Sequence, residues 1–202
     1  MSKAQPYQPS LLRFLHGLSA TIGIGAIVTA ALTYNTYDGR WGRLPLPKIP
    51  SIEGIHGTFG LFFLILLLPL ALYSFYVGSH RLLSMGAVRR LLGREPAGGD
   101  RAWWRSFHQL ANTGMLLAAG LAVVSGRQVK EEWLSAGEFH HVWYSVHLGA
   151  WVVMVVCLGL HIFAAVRSGG WPLLRSMATW RVRSGDEPQA WWAQLQTIFK
   201  RP

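Results

Sequence analysis

The sequence contains very few acidic residues and almost no cysteine. Nine of its 202 residues are Asp or Glu, and Cys157 is the one cysteine. A single thiol excludes an intramolecular disulfide and a cysteine-based metal site. Because Cys157 lies inside a long apolar run, we interpret it as a small core residue. A dinucleotide-binding loop is also excluded, since the glycines of GIG at 23–25 have no strand before them.

Charged side chains are absent from four long segments, residues 14–37, 54–80, 106–126 and 139–166. A helix needs about 20 apolar residues to cross a bilayer, and each segment is long enough. Helices are expected because hydrocarbon offers backbone amides no other partners, and the alternation typical of a barrel strand is missing. The sequence therefore predicts an all-α membrane protein, a bundle of four transmembrane helices at about 11–36, 53–78, 104–126 and 139–167.

The basic residues are distributed unevenly around these segments. The net charge is +10, and most of the 19 Lys and Arg residues lie in the N-terminus, the second loop and the C-terminal tail. By the positive-inside rule this asymmetry predicts that both termini are cytoplasmic. Anionic lipid is then the expected partner of the basic charge, and nucleic acid is not expected. The first and third loops hold the remaining basic residues, Arg40, Arg43, Lys48, Arg127 and Lys130.

We expect three parts along the chain: a cytoplasmic N-terminal segment at 1–10, a four-helix membrane domain at 11–168 and a cytoplasmic interfacial tail at 169–202. The second loop mixes leucine and arginine in RLLSMGAVRRLLGR, and the tail mixes tryptophan and arginine. Both patterns predict amphipathic segments that lie on the membrane surface.

Each predicted span carries at least one histidine. An ionisable side chain inside a membrane is costly and by default indicates function. With the predicted helix directions, His16 and His161 lie in the inner half of the membrane, and His56 and His147 in the outer half. Fourteen residues rise about 21 Å and turn about 1400°, so His147 and His161 lie within about 40° of one helix face. The fourth helix can thus present His161 to His16 and His147 to His56.

An iron macrocycle held by two imidazoles fits each of these pairs, because bis-His ligation uses both axial positions and two helices. Zinc prefers one tetrahedral cluster, often with cysteine or carboxylate. A proton relay lacks intermediates, since Met154 and Leu158 separate the two histidines of the fourth helix. Small residues such as Gly60, Gly23 and Ala164 leave room for a flat group or serve close helix packing.

The motifs around these histidines resemble those of the prokaryotic cytochrome b561 family and of the related cytochrome b subunits of membrane hydrogenases and formate dehydrogenases. They are RFLHG around His16, IHGTFG around His56 and HLGAWVVMVVCLGLHIFAA around His147 and His161. The resemblance covers about residues 11–168. It implies two b-type haems, with His16 and His161 on the iron of the cytoplasmic-side haem and His56 and His147 on the other. It also implies that the protein exchanges electrons with a quinone pool. The expected location is the bacterial inner membrane or an equivalent energy-transducing membrane.

Polar residues on the third span form a first candidate for a quinone site. His108 and Asn112 are one turn apart on one face, and Gln109 and Thr113 adjoin them. A quinone needs hydrogen-bond donors for its two carbonyls beside an apolar slot. Interhelical hydrogen bonding is the alternative interpretation. His140, seven residues before His147, is a further candidate for a quinone or a propionate.

Three arginines at helix ends are placed to contact propionates of the inner haem, or else to extend towards the headgroups. They are Arg13, Arg105 and Arg167.

The sequence thus predicts a membrane di-haem cytochrome b that passes electrons between quinol and an unidentified redox protein. It acts either as an electron-transfer protein or as part of a quinone-linked oxidoreductase, and a homodimer is a candidate assembly. With both axial sites filled, oxygen activation is not expected, and no catalytic side chain is assigned. One alternative is a membrane-anchor subunit of a larger dehydrogenase or hydrogenase. The other is a haem-free transporter or structural bundle.

Overall fold

A computed structural model describes residues 6–94 and 99–199. The expected segments at 1–10 and 169–202 therefore lie partly outside the described residues. Within the described ranges the regular structure is entirely helical. The α-helices are α1 (Ser10–Tyr37), α2 (Ile52–Tyr76), α3 (Met85–Leu91), α4 (Asp100–Gln128), α5 (Glu131–Ala136), α6 (Val142–Ala178) and α7 (Trp191–Phe199).

Helices α1, α2, α4 and α6 are long and apolar enough to cross a membrane. Their surfaces agree with that role, because large apolar side chains point outwards along them. On α2, Leu61, Ile65 and Leu68 are 57%, 55% and 59% exposed. A continuous apolar stripe of this kind marks a surface that contacts lipid or another protein. The predicted all-α class and the four spanning helices are confirmed, whereas the domain limits and the cytoplasmic placement of both termini stay predictions.

Helix α6 runs past the predicted end of the fourth span but changes direction on the way. Gly170 has φ 67° and ψ −169°, which is not helical, and Pro172 follows it. Proline lacks the N–H of a continuing helix and its ring clashes with the preceding turn. The residues after Gly170 therefore form a separate helical segment that leads into the tail.

The chain divides into two compact units, and we describe each by itself. The terminal unit consists of residues 1–18, 69–113 and 158–202, as far as they are described. Its core contains Leu11, Leu12 and Tyr73, and Trp191 of α7 packs against them. The tail is thus part of a packed core together with the start of α1.

Polar contacts also join the tail to the start of α1 within the terminal unit. The guanidinium of Arg13 donates to the main-chain carbonyls of Thr179 and Arg181. The amide N–H of Ser10 donates to the carboxylate of Asp186 across 2.7 Å. The start of the first span and the tail are therefore fixed to each other.

The loop unit consists of residues 19–68 and 114–157. Its core contains Leu67, Ala118, Ala119 and Met154. The first loop is attached to α6 through the carboxylate of Asp38, which accepts hydrogen bonds from Arg40 and, at 2.8 Å, from the hydroxyl of Tyr144. Two of these four core residues are alanine, and small residues favour close packing of membrane helices.

Candidate functional site: two histidine pairs

The terminal unit brings His16 of α1 and His161 of α6 together. Their ring centroids are 6.1 Å apart and their planes differ by 28°. Both rings are partly buried between helices. We call these two residues the 16/161 pair. The sequence predicted this partnership from depth and helix face.

The loop unit brings His56 of α2 and His147 of α6 together. Their ring centroids are 5.9 Å apart and their planes differ by 65°. We call these residues the 56/147 pair. Each unit therefore contains one pair, and α6 contributes one histidine to each.

Both rings of the 56/147 pair are held by the same kind of contact. Nδ1 of His56 lies 3.2 Å from the carbonyl oxygen of Ala26 and 3.2 Å from the hydroxyl of Thr29.

Nδ1 of His147 lies 3.0 Å from the carbonyl oxygen of Ala122 and 3.1 Å from the hydroxyl of Ser125. A carbonyl oxygen can only accept, so Nδ1 carries the proton in both rings. The lone pair on Nε2 is then available for a metal.

A glycine of helix α4, Gly126, leaves space for the ring of His147. A Cβ added at Gly126 would lie 2.9 Å from Cε1 of His147 and 3.2 Å from its Nδ1. Carbon atoms do not approach so closely, so any side chain at this position displaces the imidazole. Gly126 is a site residue that sequence reasoning missed, because it becomes visible only once the facing helix is known.

In the 16/161 pair, a side chain takes the place of the main-chain acceptor. Nδ1 of His161 lies 2.6 Å from Oδ1 of Asn112 and 3.1 Å from Nε2 of His108. The rings of His108 and His161 have centroids 4.6 Å apart. His108 and Asn112, predicted as quinone contacts, thus lie directly behind a predicted haem ligand.

The other polar residues of this patch hold the chain segment after α2. Nδ2 of Asn112 donates to the carbonyl of Arg81, and Nε2 of Gln109 donates to the carbonyl of His80. The hydroxyl of Thr113 accepts the amide N–H of Leu83. These contacts agree with the alternative of interhelical hydrogen bonding. Oε1 of Gln109, also in this patch, is buried and has no hydrogen-bond partner among the described residues.

Two of the three predicted propionate contacts, Arg13 and Arg167, have other partners in the structure. Arg13 binds the tail carbonyls described above. The guanidinium of Arg167 lies 5.3 Å from the ring centre of Trp104 and 4.0 Å from a carboxylate oxygen of Asp100. Arg105 is exposed. A propionate role for these three arginines stays a prediction.

Arg81 is a cation near the 16/161 pair that sequence reasoning missed. It follows directly after a charge-free segment, and its guanidinium donates to Gln8 across 2.8 Å. Burial lowers the pKa of Arg81, and nearby Tyr73 opposes this shift. Arg81 interacts electrostatically with both His16 and His108. Arg81 is therefore a cation close enough to this pair to influence its charge.

His140 and His141 lie at an open cavity of about 370 Å³ in the loop unit, together with Gly137 and Glu138. The ring of His141 stacks on Trp133, with centroids 3.7 Å apart. His140 is exposed. The structure thus places His140 at a surface cavity rather than inside the helix packing.

The distance between paired rings fits a metal held between two imidazoles. A metal–nitrogen bond is about 2 Å and a ring centroid lies about 1 Å beyond the nitrogen, so two axial imidazoles place their centroids roughly 6 Å apart. The observed separations are 6.1 Å and 5.9 Å. In the described part of the chain, no three His, Cys, Asp or Glu side chains converge as a zinc site requires. The residues present fit a flat group with two axial ligands.

Only some of the small residues near the histidines leave room for such a group. A Cβ at Gly60, one turn after His56, would meet no described atom within 4 Å. At Gly23, by contrast, it would meet the ring of Phe63 at 3.0 Å, and Ala164 is fully buried. Gly60 therefore has open space next to it, whereas Gly23 and Ala164 are packed against other residues.

Comparison with known proteins supports one family. Searches of curated proteins and of solved structures gave no match. Residues 7–180 match the family described as prokaryotic cytochrome b561. That range includes all four spanning helices and both histidine pairs. The chain therefore belongs to the prokaryotic cytochrome b561 family, and it is a haem-binding electron-transfer protein of the bacterial membrane.

Proposed function

We propose that this protein is a di-haem b-type cytochrome that carries electrons between a quinone pool and a redox protein. The 16/161 pair and the 56/147 pair are the proposed axial ligands, one pair for each haem. The observation that carries the proposal is the nearly equal spacing of the two pairs, 6.1 Å and 5.9 Å between ring centroids, each inside one compact unit.

The residues around the pairs support this role. When bound, each haem supplies one-electron redox chemistry at its iron. Three of the four imidazoles have an acceptor at Nδ1, which fixes the tautomer with Nε2 free to bind a metal. The two histidines of each pair would hold the iron from both sides, so a bound haem would supply electron transfer rather than oxygen activation. The family match argues against the haem-free alternative.

The quinone site is proposed at the patch on α4. Gln109 supports it, because its buried Oε1 lacks a partner in the described chain, and a quinol hydroxyl is a suitable donor. The preceding residue, His108, contacts His161, so this position adjoins a proposed haem ligand. Asn112 is less suited to bind quinone, since both ends of its amide are already hydrogen-bonded.

A pyridine haemochrome assay on detergent-purified protein tests the central claim. We expect two b-type haems per chain. A count of zero contradicts the proposal, and a count of one removes one pair from it. Co-purification of a large iron–sulfur protein would identify the chain as the membrane-anchor subunit of a dehydrogenase or hydrogenase.

The quinone site needs a separate experiment. Gln109→Leu should retain both haems but slow their reduction by quinol, because the acceptor for the quinol hydroxyl is lost. His140→Ala is the matched variant at the other candidate position, and quinol should reduce its haems at the normal rate. The opposite result, with slow reduction only in His140→Ala, would move the site to the cavity beside His140 and His141.

A further inference from the structure

The two histidine pairs differ in what holds the ring N–H group. In the 56/147 pair the acceptors are main-chain carbonyls of Ala26 and Ala122. In the 16/161 pair, His161 instead meets the side-chain oxygen of Asn112 at 2.6 Å, the shortest of these contacts. A main-chain carbonyl is present whatever the residue, whereas this acceptor exists only because residue 112 is asparagine.

The orientation of the Asn112 amide follows from its second contact. Its other end lies 3.0 Å from the carbonyl oxygen of Arg81, which can only accept. The NH₂ group must therefore face Arg81, and Oδ1 must face His161. Because Oδ1 can only accept, the proton between them belongs to Nδ1 of His161. Asn112 thus fixes the tautomer of His161 and connects it to the segment after α2.

His108 strengthens the same contact from another side. Its Nε2 lies 3.1 Å from Nδ1 of His161, so two acceptors can surround one ring N–H group. An acceptor at the far nitrogen of a metal-bound imidazole raises the basicity of the ligand. A more basic ligand stabilises the oxidised form of the iron, since that form carries the greater positive charge.

We propose that Asn112 is a positioning residue that orients His161 and lowers the reduction potential of the haem held by the 16/161 pair. This inference rests on the proposed function, because it needs a haem at that pair. It assigns to Asn112 a role different from quinone binding. It also predicts that the two haems respond differently to loss of a neighbouring polar side chain.

Redox titration of purified variants tests the inference, with low-spin haem signals recorded by electron paramagnetic resonance. Asn112→Leu removes the acceptor at similar volume and should raise the potential of one haem while two haems per chain remain. Asn112→Asp keeps an oxygen acceptor and should leave that potential at or below the wild-type value. Ser125→Ala is the matched control, because it removes a hydroxyl beside His147 but leaves the carbonyl of Ala122. It should leave the haem of the 16/161 pair unchanged.

The possible outcomes separate this inference from the proposed function. Unchanged potentials and signals in Asn112→Leu, with two haems bound, overturn the inference alone. Loss of one haem in Asn112→Leu but not in Asn112→Asp supports it, because the acceptor oxygen is then what the ligand requires. Equal haem loss in both variants overturns it, since Asn112 is then only a packing residue. Wild-type protein without haem overturns both.

Discussion

In the loop unit, helix packing brings main-chain carbonyls to His56 and His147, whereas in the terminal unit a side chain, Asn112, holds His161. The two cores also differ, since that of the loop unit contains Ala118 and Ala119, whereas that of the terminal unit contains Tyr73 of α2 with Trp191 of α7 packed against it. A ligand held by backbone is insensitive to most single replacements, while a ligand held by a side chain can be altered by one. The two sites can therefore be tuned independently.

The largest expected effect is the selective loss of one haem. His147→Ala should resemble His56→Ala, and His161→Ala should resemble His16→Ala, because a low-spin bis-His site needs both imidazoles. Haem counts and difference spectra distinguish the two classes. His140→Ala, which changes an exposed histidine outside both pairs, should keep two haems. If His16→Ala instead matches His147→Ala, the pairing assigned to the two units is wrong.

Topology is the second test, because it decides which loops face the cytoplasm. Reporter fusions after Gly42 in the first loop and after Gly93 in the second should report opposite sides, outer and inner respectively. The basis is the excess of arginine in the second loop and tail. Two fusions reporting the same side would refute the four-span arrangement with both termini inside.

Gly126→Ala should weaken the 56/147 site alone. The new Cβ would lie 2.9 Å from Cε1 of His147, so the ring would have to shift, and its Nδ1 is the atom that contacts the carbonyl of Ala122. Disturbing the support of a ligand typically costs about 10–100-fold in metal affinity. Gly120→Ala on the same helix is the control, since its Cβ would meet no described atom within 4 Å. Equal haem occupancy in both variants would contradict the steric argument.

Arg13→Met should produce the smallest effect, a loss of stability without loss of haem. Arg13 is 8% exposed, and its guanidinium holds carbonyls of the tail. Hydrogen bonds to a charged group each contribute about 1.5–3 kcal/mol. We expect a lower thermal midpoint and faster proteolysis of the tail, with exposed Arg105→Met as the control. Normal stability with a shifted haem potential would instead support the propionate contact predicted from the sequence.

The sequence predicts what depends on regular helix geometry and on the cost of burying charge. Charge-free segments locate the spans, and fourteen-residue spacing on one helix selects His147 and His161. Contacts that depend on the facing helix were not predictable in this way. Gly126 looks like any helix glycine until His147 lies against it, and Arg13 gives no sign that its partners are carbonyls more than 160 residues away. Asn112 is a predicted quinone contact, and its hydrogen bond to the ring of His161 becomes visible only in the structure.

Gly170 has a consequence for which substitutions this protein tolerates. Its φ of 67° and ψ of −169° lie in a region open essentially only to glycine. The turn at this residue directs the chain from the fourth span towards Thr179 and Arg181, where Arg13 binds. In a saturation mutagenesis experiment, Gly170 should therefore be nearly as restricted as the histidines, although a hydrogen atom is its whole side chain. Sequence conservation at this position would record the path of the backbone rather than any chemistry.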